Sequence, residues 1–287
     1  MVTVFISVPL DMKRRVVDCF LFYNEVDMLD YRLSVLWDFV DFFIISESKC
    51  SFVGNEKPFF SEDTRFDKYR EKMIVLKIET FPFPSPDISR NEQWSNENYQ
   101  RDYLMRGVAE LLEKGSINDN DVLLINDVDE IPDTSFLNYI STKTVLPLNN
   151  IFVLQQKYHC YDLRVIRNID WYHSKCLSVK TWKELLQSEH FSTVRLYGVT
   201  IPFHENVYPQ LIMNGGWHLS YFGDVDFILN KVNNFSHQEI LISLEEITER
   251  KSKGMDITGR TDITYSVVPV GENSYLPPEP FFFCKQL

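Results

Sequence analysis

Asp121 to Pro132 reads D-V-L-L-I-N-D-V-D-E-I-P, and this stretch indicates how the chain is organised. Val122 to Ile125 are apolar and stand between acids, which predicts a short buried strand. The strand runs directly into a polar group that comprises Asn126, Asp127, Asp129 and Glu130. Carboxylates this close repel one another unless a cation or a network of donors neutralises them. The sequence therefore predicts a ligand-binding acidic edge at the end of a buried strand.

The acidic cluster has two interpretations. A divalent metal neutralises neighbouring carboxylates, and a set of oxygen ligands favours Mg²⁺ or Mn²⁺ over Zn²⁺. Alternatively, the acids form an ordinary turn in which Asp127 caps the next segment and Pro132 ends the strand. The apolar run in front of the acids, together with Asn126 and Glu130, favours the metal site.

Composition limits the class of protein. The 287 residues are 44% hydrophobic and 14% aromatic, which predicts a globular protein with a full core. The formal net charge of −12 argues against a nucleic-acid partner and against an anionic membrane surface. An anionic substrate would need a local cation in its site.

We expect no membrane span and no secretory signal. No segment reaches the roughly 20 continuous apolar residues of a span. The apolar start, Met1 to Leu10, is followed by basic residues instead of being preceded by them. The cysteines are five in number and widely spaced, which predicts unpaired thiols in a reducing, cytoplasmic compartment. They are Cys19, Cys50, Cys160, Cys176 and Cys284.

Strands and helices alternate in the first part of the chain, which predicts an α/β fold with a mostly parallel sheet. The predicted strands are Val16–Tyr23, Val40–Ser46, Met73–Ile78, Val122–Ile125 and Ile151–Gln156, with another over Trp217–Phe222. The predicted helices are Val26–Trp37, Arg65–Lys72, about Asn91–Lys114, Ser135–Tyr139 and Phe227–Asn233. Asn24, Glu25 and Glu47 follow strands and are expected at the same edge as Asp127 and Asp129.

Three further features have both a structural and a functional interpretation. Arg101 is a solvated helical charge or a cation directed at the acidic edge. His218 and Asp226 are a core histidine and a helix cap, unless their segment returns to that edge. The aromatic residues between Lys157 and Trp182 fill a core or line a sugar-binding cleft.

Several motifs together resemble glycosyltransferase family 17. They are D-C-F-L-F-Y-N-E-V-D-M-L from Asp18, V-D-F-F-I-I-S-E from Val40, N-Y-Q-R-D from Asn98, N-D-V-D-E-I-P from Asn126 and G-G-W-H-L-S-Y from Gly215, with Lys231 beyond. That family includes the β-1,4-mannosyl-glycoprotein 4-β-N-acetylglucosaminyltransferases. The resemblance implies a GT-A-like, Rossmann-type domain over residues 1–287, with a nucleotide-sugar-binding half at about 16–130 and an acceptor-binding half at about 131–287. It also implies UDP-N-acetylglucosamine as donor, a glycan or glycoconjugate acceptor, Mn²⁺ or Mg²⁺ bound through the D-x-D, and inversion at the anomeric carbon.

The resemblance also implies roles for individual residues. Metal ligands are expected at Asp127 and Asp129, completed by His218 or His237. Donor-binding residues are expected at Asn24, Glu25, Glu47, Arg101, Asp127 and Asp129, and acceptor-binding residues at Trp217 and Tyr221. Asp226 is the first candidate for the base because it follows the Gly-Gly-Trp turn and starts a helix, and Asp224 and Glu239 come next. Because no anchor is expected, the sequence resembles the short microbial or viral members of the family more than the eukaryotic ones. This resemblance implies a cytoplasmic location, which for a viral member is the cytoplasm of the host.

Two other classes of protein remain as alternatives. An apolar strand that runs into D-x-D is also found in haloacid-dehalogenase-like phosphatases, where the first Asp is a nucleophile. In those enzymes the motif lies near the chain start, whereas Asp127 lies at mid-chain. A non-catalytic carbohydrate-binding protein would use the same aromatic residues without turnover.

Overall fold

The computed structural model describes residues 13–143 and 146–279, and one sheet contains ten strands within them. The strands are β1 (Val16–Phe22), β2 (Phe42–Ser48), β3 (Met73–Ile78), β4 (Val122–Asp127), β5 (Glu130–Pro132), β6 (Asn150–Cys160), β7 (Val165–Arg167), β8 (Lys175–Ser178), β9 (Tyr208–Ser220) and β10 (Tyr265–Val267). The α-helices are α1 (Val26–Leu36), α2 (Glu92–Glu113), α3 (Thr134–Thr142), α4 (Phe191–Leu196), α5 (Val225–Asn234) and α6 (Leu244–Lys253).

The fold is of the α/β class, and the central strands of its sheet are parallel, as predicted. Strands β3, β2, β1 and β4 are parallel neighbours in that order, which is the arrangement of a Rossmann-like half. Their carboxyl ends meet at one edge, where Leu21 pairs with Asp127. Strand β8 then runs antiparallel to both β4 and β6, and β9 pairs with β6 in parallel and with β5 in antiparallel. Asp127 and Asp129 therefore stand at the carboxyl edge of the central strands.

Helices cover both faces of the central strands. Every residue of β1 is buried. Val16, Phe20 and Phe22 share a core cluster with Leu29 and other residues of α1, and the alternate residues of β1 share a second cluster with α2. This two-sided burial explains why the strand reads as a nearly continuous apolar run.

The sequence did not predict several short elements. β7 and β10 contain three residues each, which is too few to show a period. β5, β8, α4 and α6 were also not predicted. β9 begins at Tyr208, well before the expected Trp217, because its first half is largely exposed and lacks a buried face.

The cysteines that the structure describes are free, and Cys284 lies outside the described residues. Cys19, Cys160 and Cys176 are buried in the core. Burial raises the pKa of the Cys176 thiol, which keeps it protonated. Among the described helices, none combines the length and the apolar character that a membrane crossing needs.

Candidate active site

A buried arginine shapes the turn that carries the two aspartates. Arg32 of α1 is fully buried and binds Asp18 of β1 through Nε and Nη2, at 2.8 and 2.7 Å. Its Nη1 also donates to the carbonyls of Asp127, Val128 and Glu130, at 3.2, 3.3 and 2.6 Å. Such a buried pair is tolerated when good hydrogen bonds satisfy the remaining donors. The D-V-D turn is therefore wrapped around a fixed guanidinium.

Asp127 is held by two arginines. Arg101 Nη1 lies 2.6 Å from Asp127 Oδ1, and Arg195 Nη2 lies 2.5 Å from Asp127 Oδ2. Arg101 also pairs with Glu97 one helical turn earlier, at 3.2 Å. Arg101 is thus the cation directed at the acidic edge and not a solvated helical charge. Both oxygens of Asp127 are committed to protein cations.

Glu130 binds Arg195 and so holds it next to Asp127. Its fully buried carboxylate accepts from Arg195 Nη1 at 2.6 Å and Nη2 at 2.5 Å. Ser174 Oγ donates to it at 3.0 Å, and the Trp171 indole also donates to it. Burial opposes ionisation of Glu130, but Arg195 outweighs it and holds the pKa of Glu130 well below its usual range. Arg195 has no signal in the sequence, because α4 is short and carries no motif.

Asp129 meets residues from the carboxyl-terminal part of the chain. Lys231 Nζ of α5 lies 3.1 Å from Asp129 Oδ2, and His218 Nε2 of β9 lies 3.6 Å from Asp129 Oδ1. Burial opposes ionisation of Asp129, but Lys231 and His218 outweigh it and lower the pKa of Asp129 below its usual range. The segment around His218 therefore returns to the acidic edge, which makes His218 a candidate site residue and not only a core histidine.

The short strand β5 brings His218 to this edge. Glu130 pairs with His218 and Pro132 with Gly216 in antiparallel register. Gly216 has φ of +136°, and a Cβ there would lie 2.1 Å from the Ile131 carbonyl oxygen. Only glycine fits this approach of β9 to β5. The G-G-W-H motif is therefore a backbone requirement that positions an imidazole.

A cavity of about 970 Å³ opens over the carboxyl edge. Its lining includes the cations Lys57, Arg101, Arg167, Arg195, Lys231, Arg250 and Arg260, and the acids Glu25, Glu97, Asp127, Asp129, Glu239 and Asp256. Seven cations against six acids give the lining a local charge of +1, although the whole chain carries −12. The local cations that an anionic ligand needs are thus supplied by side chains.

The structure brings most of the predicted site residues together. Those that line the cavity are Glu25, Arg101, Asp127, Asp129, His218, Tyr221, His237 and Glu239. His237 Nδ1 lies 2.6 Å from Glu239 Oε1, and the His237 ring packs edge-on against Trp94 at 4.6 Å. Trp94 and Arg101 both lie on α2, about two turns apart. The His237–Glu239 pair therefore borders the same cavity as the D-V-D turn, roughly 10 Å farther along α2.

Three predicted binding residues, Asn24, Glu47 and Trp217, do not line the cavity. Glu47 is buried and accepts from Lys57 Nζ at 2.8 Å and from the amides of Phe60 and Ser61, so it folds the loop after β2. The amide of Asn24 donates to Asn230 Oδ1 at 2.9 Å, outside the cavity lining. Trp217 is a core residue that stacks on Tyr275 with the ring centroids 4.6 Å apart.

The two leading candidates for the base lie outside the cavity lining. Asp224 is the N-cap of α5, where its Oδ1 accepts from the Phe227 amide at 2.8 Å. Asp226 lies in the first turn of α5 with an exposed side chain, and it does not line the cavity. The general preference of aspartate for helix starts explains both positions. Glu239 is the remaining predicted acid, and it does line the cavity.

The residues present fit a metal ion through two ligands. Across residues 13–143 and 146–279, no three His, Cys, Asp or Glu side chains converge as a ready-made metal site. Asp129 Oδ1 and His218 Nε2 are 3.6 Å apart, less than twice a metal–ligand distance of about 2.1 Å, so both atoms can bind one ion. Asp127 and His237 are engaged with other partners. A site with few protein ligands that substrate phosphate completes is usual for Mg²⁺, and the carboxylate ligand also suits Mn²⁺.

The Rossmann-like α/β fold and the charged cavity across the carboxyl edge of its sheet place the chain in a class of ligand-binding α/β proteins. The chain belongs to glycosyltransferase family 17, whose family model matches residues 8–269.

Curated relatives and a solved structure show further similarity. The chain is 33% identical over 130 residues to the β-1,4-mannosyl-glycoprotein 4-β-N-acetylglucosaminyltransferases of Rattus norvegicus and Homo sapiens. The matched region covers 44% of this chain and 23% of each relative. The crystal structure of 4-diphosphocytidyl-2C-methyl-D-erythritol synthase has a TM-score of 0.40 and 16% identity, over 76% of this chain and 98% of that chain. That similarity is too low to assign a function.

Proposed function

We propose that this chain is a metal-dependent, inverting glycosyltransferase that moves N-acetylglucosamine from UDP-N-acetylglucosamine to a hydroxyl group of a glycan acceptor. The family and the names of the relatives support the reaction and the sugar. The observation that carries the proposal is the position of Asp129. It is the carboxylate of the D-V-D turn that lies beside both a lysine and an imidazole in the cavity.

The donor diphosphate binds where β1 and β4 end. Arg101 and Lys231 supply positive charge at that position, and each is already held by carboxylates. Cations fixed before the reaction stabilise a developing negative charge without reorganisation. Glu25, which also pairs with Lys231, borders the nucleotide. The charged groups at this edge therefore stabilise the negative charge of a nucleoside diphosphate as it leaves.

Asp129 and His218 are the residues that would hold the metal. A bound Mn²⁺ or Mg²⁺ supplies Lewis-acid stabilisation of the leaving diphosphate. Lys231 keeps Asp129 ionised and so keeps its carboxylate available as a ligand. Asp127 has another role, because it fixes the direction of Arg101 and Arg195.

Glu239 takes the role of base, for which Asp226 was the first candidate from the sequence. It lines the cavity, and its side chain is 66% exposed, so an acceptor hydroxyl can reach it. Burial opposes its ionisation, but the hydrogen bond from His237 outweighs this and lowers the pKa of Glu239. A base must be unprotonated at neutral pH, and this pair meets that requirement.

The alternative classes have weaker support. A phosphatase nucleophile at Asp127 would need a free carboxylate oxygen, whereas both oxygens are paired with arginines. A carbohydrate-binding protein without turnover would have no use for a fixed cation cluster at a sheet edge. The transferase accounts for both features.

Release of UDP from UDP-N-acetylglucosamine tests the proposal. The purified chain is incubated with the donor, with and without Mn²⁺, and UDP is quantified by chromatography; p-nitrophenyl phosphate is offered in parallel. We expect slow Mn²⁺-dependent UDP release and no release of p-nitrophenol. Preference for the phosphomonoester would favour a phosphatase, and inactivity on both, with retained glycan binding, would favour a carbohydrate-binding protein.

A further inference from the structure

Arg167 differs from the other cations in the cavity lining. Each of the other six forms an ion pair with an Asp or Glu. Arg167 forms no ion pair with any residue of the described chain. Its Nε is buried and has no hydrogen-bond partner in residues 13–143 and 146–279. This unsatisfied donor shows that the surrounding protein groups do not saturate the Arg167 guanidinium.

The side chains around Arg167 hold it in place without neutralising it. Arg167 lies on β7 opposite Tyr265 of β10, and its Cζ lies 5.0 Å from the centroid of the Tyr158 ring. Asp256 is the buried acid in this part of the lining. Its carboxylate already accepts from the Tyr265 hydroxyl at 3.1 Å, from Thr258 and from Arg260 Nη2 at 3.4 Å.

Further cations surround the same part of the cavity. Arg250 lines it too, and its Nη1 donates to the Ile257 carbonyl at 2.6 Å. Arg260 is 52% exposed and remains accessible to solvent ions. With Asp256 engaged, the uncompensated positive charge lies on Arg167. Arg167, Arg250, Asp256 and Arg260 all come from the chain after residue 150. The proposed donor groups Glu25 and Arg101 come from the chain before residue 150.

We propose that Arg167 forms an anion subsite for the acceptor, where it binds a carboxylate, sulfate or phosphate group on the acceptor glycan; this rests on the proposed function. A guanidinium presents parallel donors that match the geometry of an oxyanion, and such charge-assisted pairs are strong. Tyr158 contacts both Arg167 and His218, with ring centroids of Tyr158 and His218 4.5 Å apart. The subsite is therefore one aromatic side chain away from the proposed metal ligand. An acidic sugar held at Arg167 would reach toward the reaction centre.

Binding of small acidic sugars tests this subsite without turnover. Methyl β-glucuronide, N-acetylglucosamine 6-sulfate and N-acetylglucosamine 6-phosphate are titrated by calorimetry or NMR, with methyl β-glucoside as the neutral probe. We expect at least one acidic probe to bind more tightly than the neutral one. Arg167→Gln should weaken that binding tenfold or more and leave neutral-sugar binding unchanged.

Arg106→Gln is the matched control. Its guanidinium also lies over a tyrosine, Tyr103, at 4.1 Å, but it is exposed and outside the cavity. We expect this variant to bind every probe like the wild type. Thermal unfolding of both variants verifies that each is folded.

Affinity for UDP-N-acetylglucosamine separates the acceptor subsite from a donor role. Arg167→Gln should leave that affinity within twofold of the wild type. An equal loss of donor and acidic-sugar affinity would overturn the proposal, because Arg167 would then belong to the donor site. Failure of every acidic probe to exceed the neutral one would overturn it as well. Acidic-sugar binding through Arg167 in a chain that neither binds nor hydrolyses the donor would support the subsite and overturn the proposed function.

Discussion

Lys231 Nζ lies 3.1 Å from Asp129 Oδ2 and 3.2 Å from Glu25 Oε1, so one ammonium group joins carboxylates from two different strand ends. Glu25 follows β1, Asp129 follows β4, and Lys231 lies on α5. Burial disfavours the charged lysine, but the two carboxylates outweigh it and raise the pKa of Lys231 above its usual range. This ion cluster fastens α5 to the carboxyl edge of the sheet.

Removal of the ammonium group should destabilise the fold. Lys231→Met leaves Asp129 and Glu25 buried without their cation, and breaking a buried pair in this way costs about 3 kcal/mol or more. Lys253→Met is the control, because Lys253 forms a solvent-exposed pair with Glu249, and exposed pairs of this kind contribute little to stability. Urea unfolding of both variants measures the difference. Equal free energies of unfolding would show that the cluster does not stabilise α5.

The two aspartates of D-V-D should differ in metal dependence. Asp129→Asn should abolish the increase in UDP-N-acetylglucosamine affinity that Mn²⁺ produces, because Asp129 is the proposed carboxylate ligand. Asp127→Asn should retain that increase, since Asp127 is bound by Arg101 and Arg195. Calorimetric titration with and without Mn²⁺ measures both. Full Mn²⁺-dependent donor affinity in Asp129→Asn would sink the metal assignment.

A buried histidine should make the fold sensitive to mild acid. His159 is fully buried with Nδ1 3.1 Å from the Leu163 carbonyl, and burial lowers its pKa to about 4. In the unfolded chain this histidine binds a proton near pH 6.5, whereas in the folded chain it stays neutral until about pH 4. The fold therefore keeps its full stability above pH 6.5 and loses stability as pH falls toward 4. The free energy of unfolding should fall by up to about 1.4 kcal/mol per pH unit from this group.

His159→Leu tests this pH dependence. Above pH 6.5 the substitution should lower stability, because the Leu163 carbonyl loses its partner, and it should reduce the slope between pH 5 and 6.5. Carboxylates of the unfolded chain titrate mainly below this range. Urea unfolding at a series of pH values gives the slope. An unchanged slope in the variant would show that His159 does not set it.

Part of the site could be predicted because it depends on local pattern. An apolar strand followed by acids places Asp127 and Asp129 at a carboxyl edge, and helical spacing places Arg101 on the helix that covers it. Arg195 could not be found in this way, because α4 has six residues and Arg195 reaches Asp127 only through tertiary packing. Short elements that depend on distant partners leave no periodic signal.

The alternation of β9 could have excluded one prediction. Successive side chains of a strand point to opposite faces, so Trp217 and His218 cannot both face the cavity. Pairing with β5 puts His218 beside Asp129 and turns Trp217 to the core, where it stacks on Tyr275. For Asp224 and Asp226 the sequence gives no such rule. Which of the two acids caps α5 is decided by the backbone, which is extended at Asp224.

The assignment of the base predicts opposite results for two acids. Glu239→Gln keeps the size of the side chain and removes its basicity, so turnover should fall about a hundredfold or more while donor affinity stays unchanged. Asp226→Asn is the control: the residue is exposed outside the cavity, and asparagine is compatible with a helix start, so turnover should stay near the wild-type rate. Single-turnover transfer and donor titration on both variants give the comparison. A Glu239→Gln enzyme at the wild-type rate would reject Glu239, and a large loss in Asp226→Asn with donor affinity intact would restore Asp226 as the base.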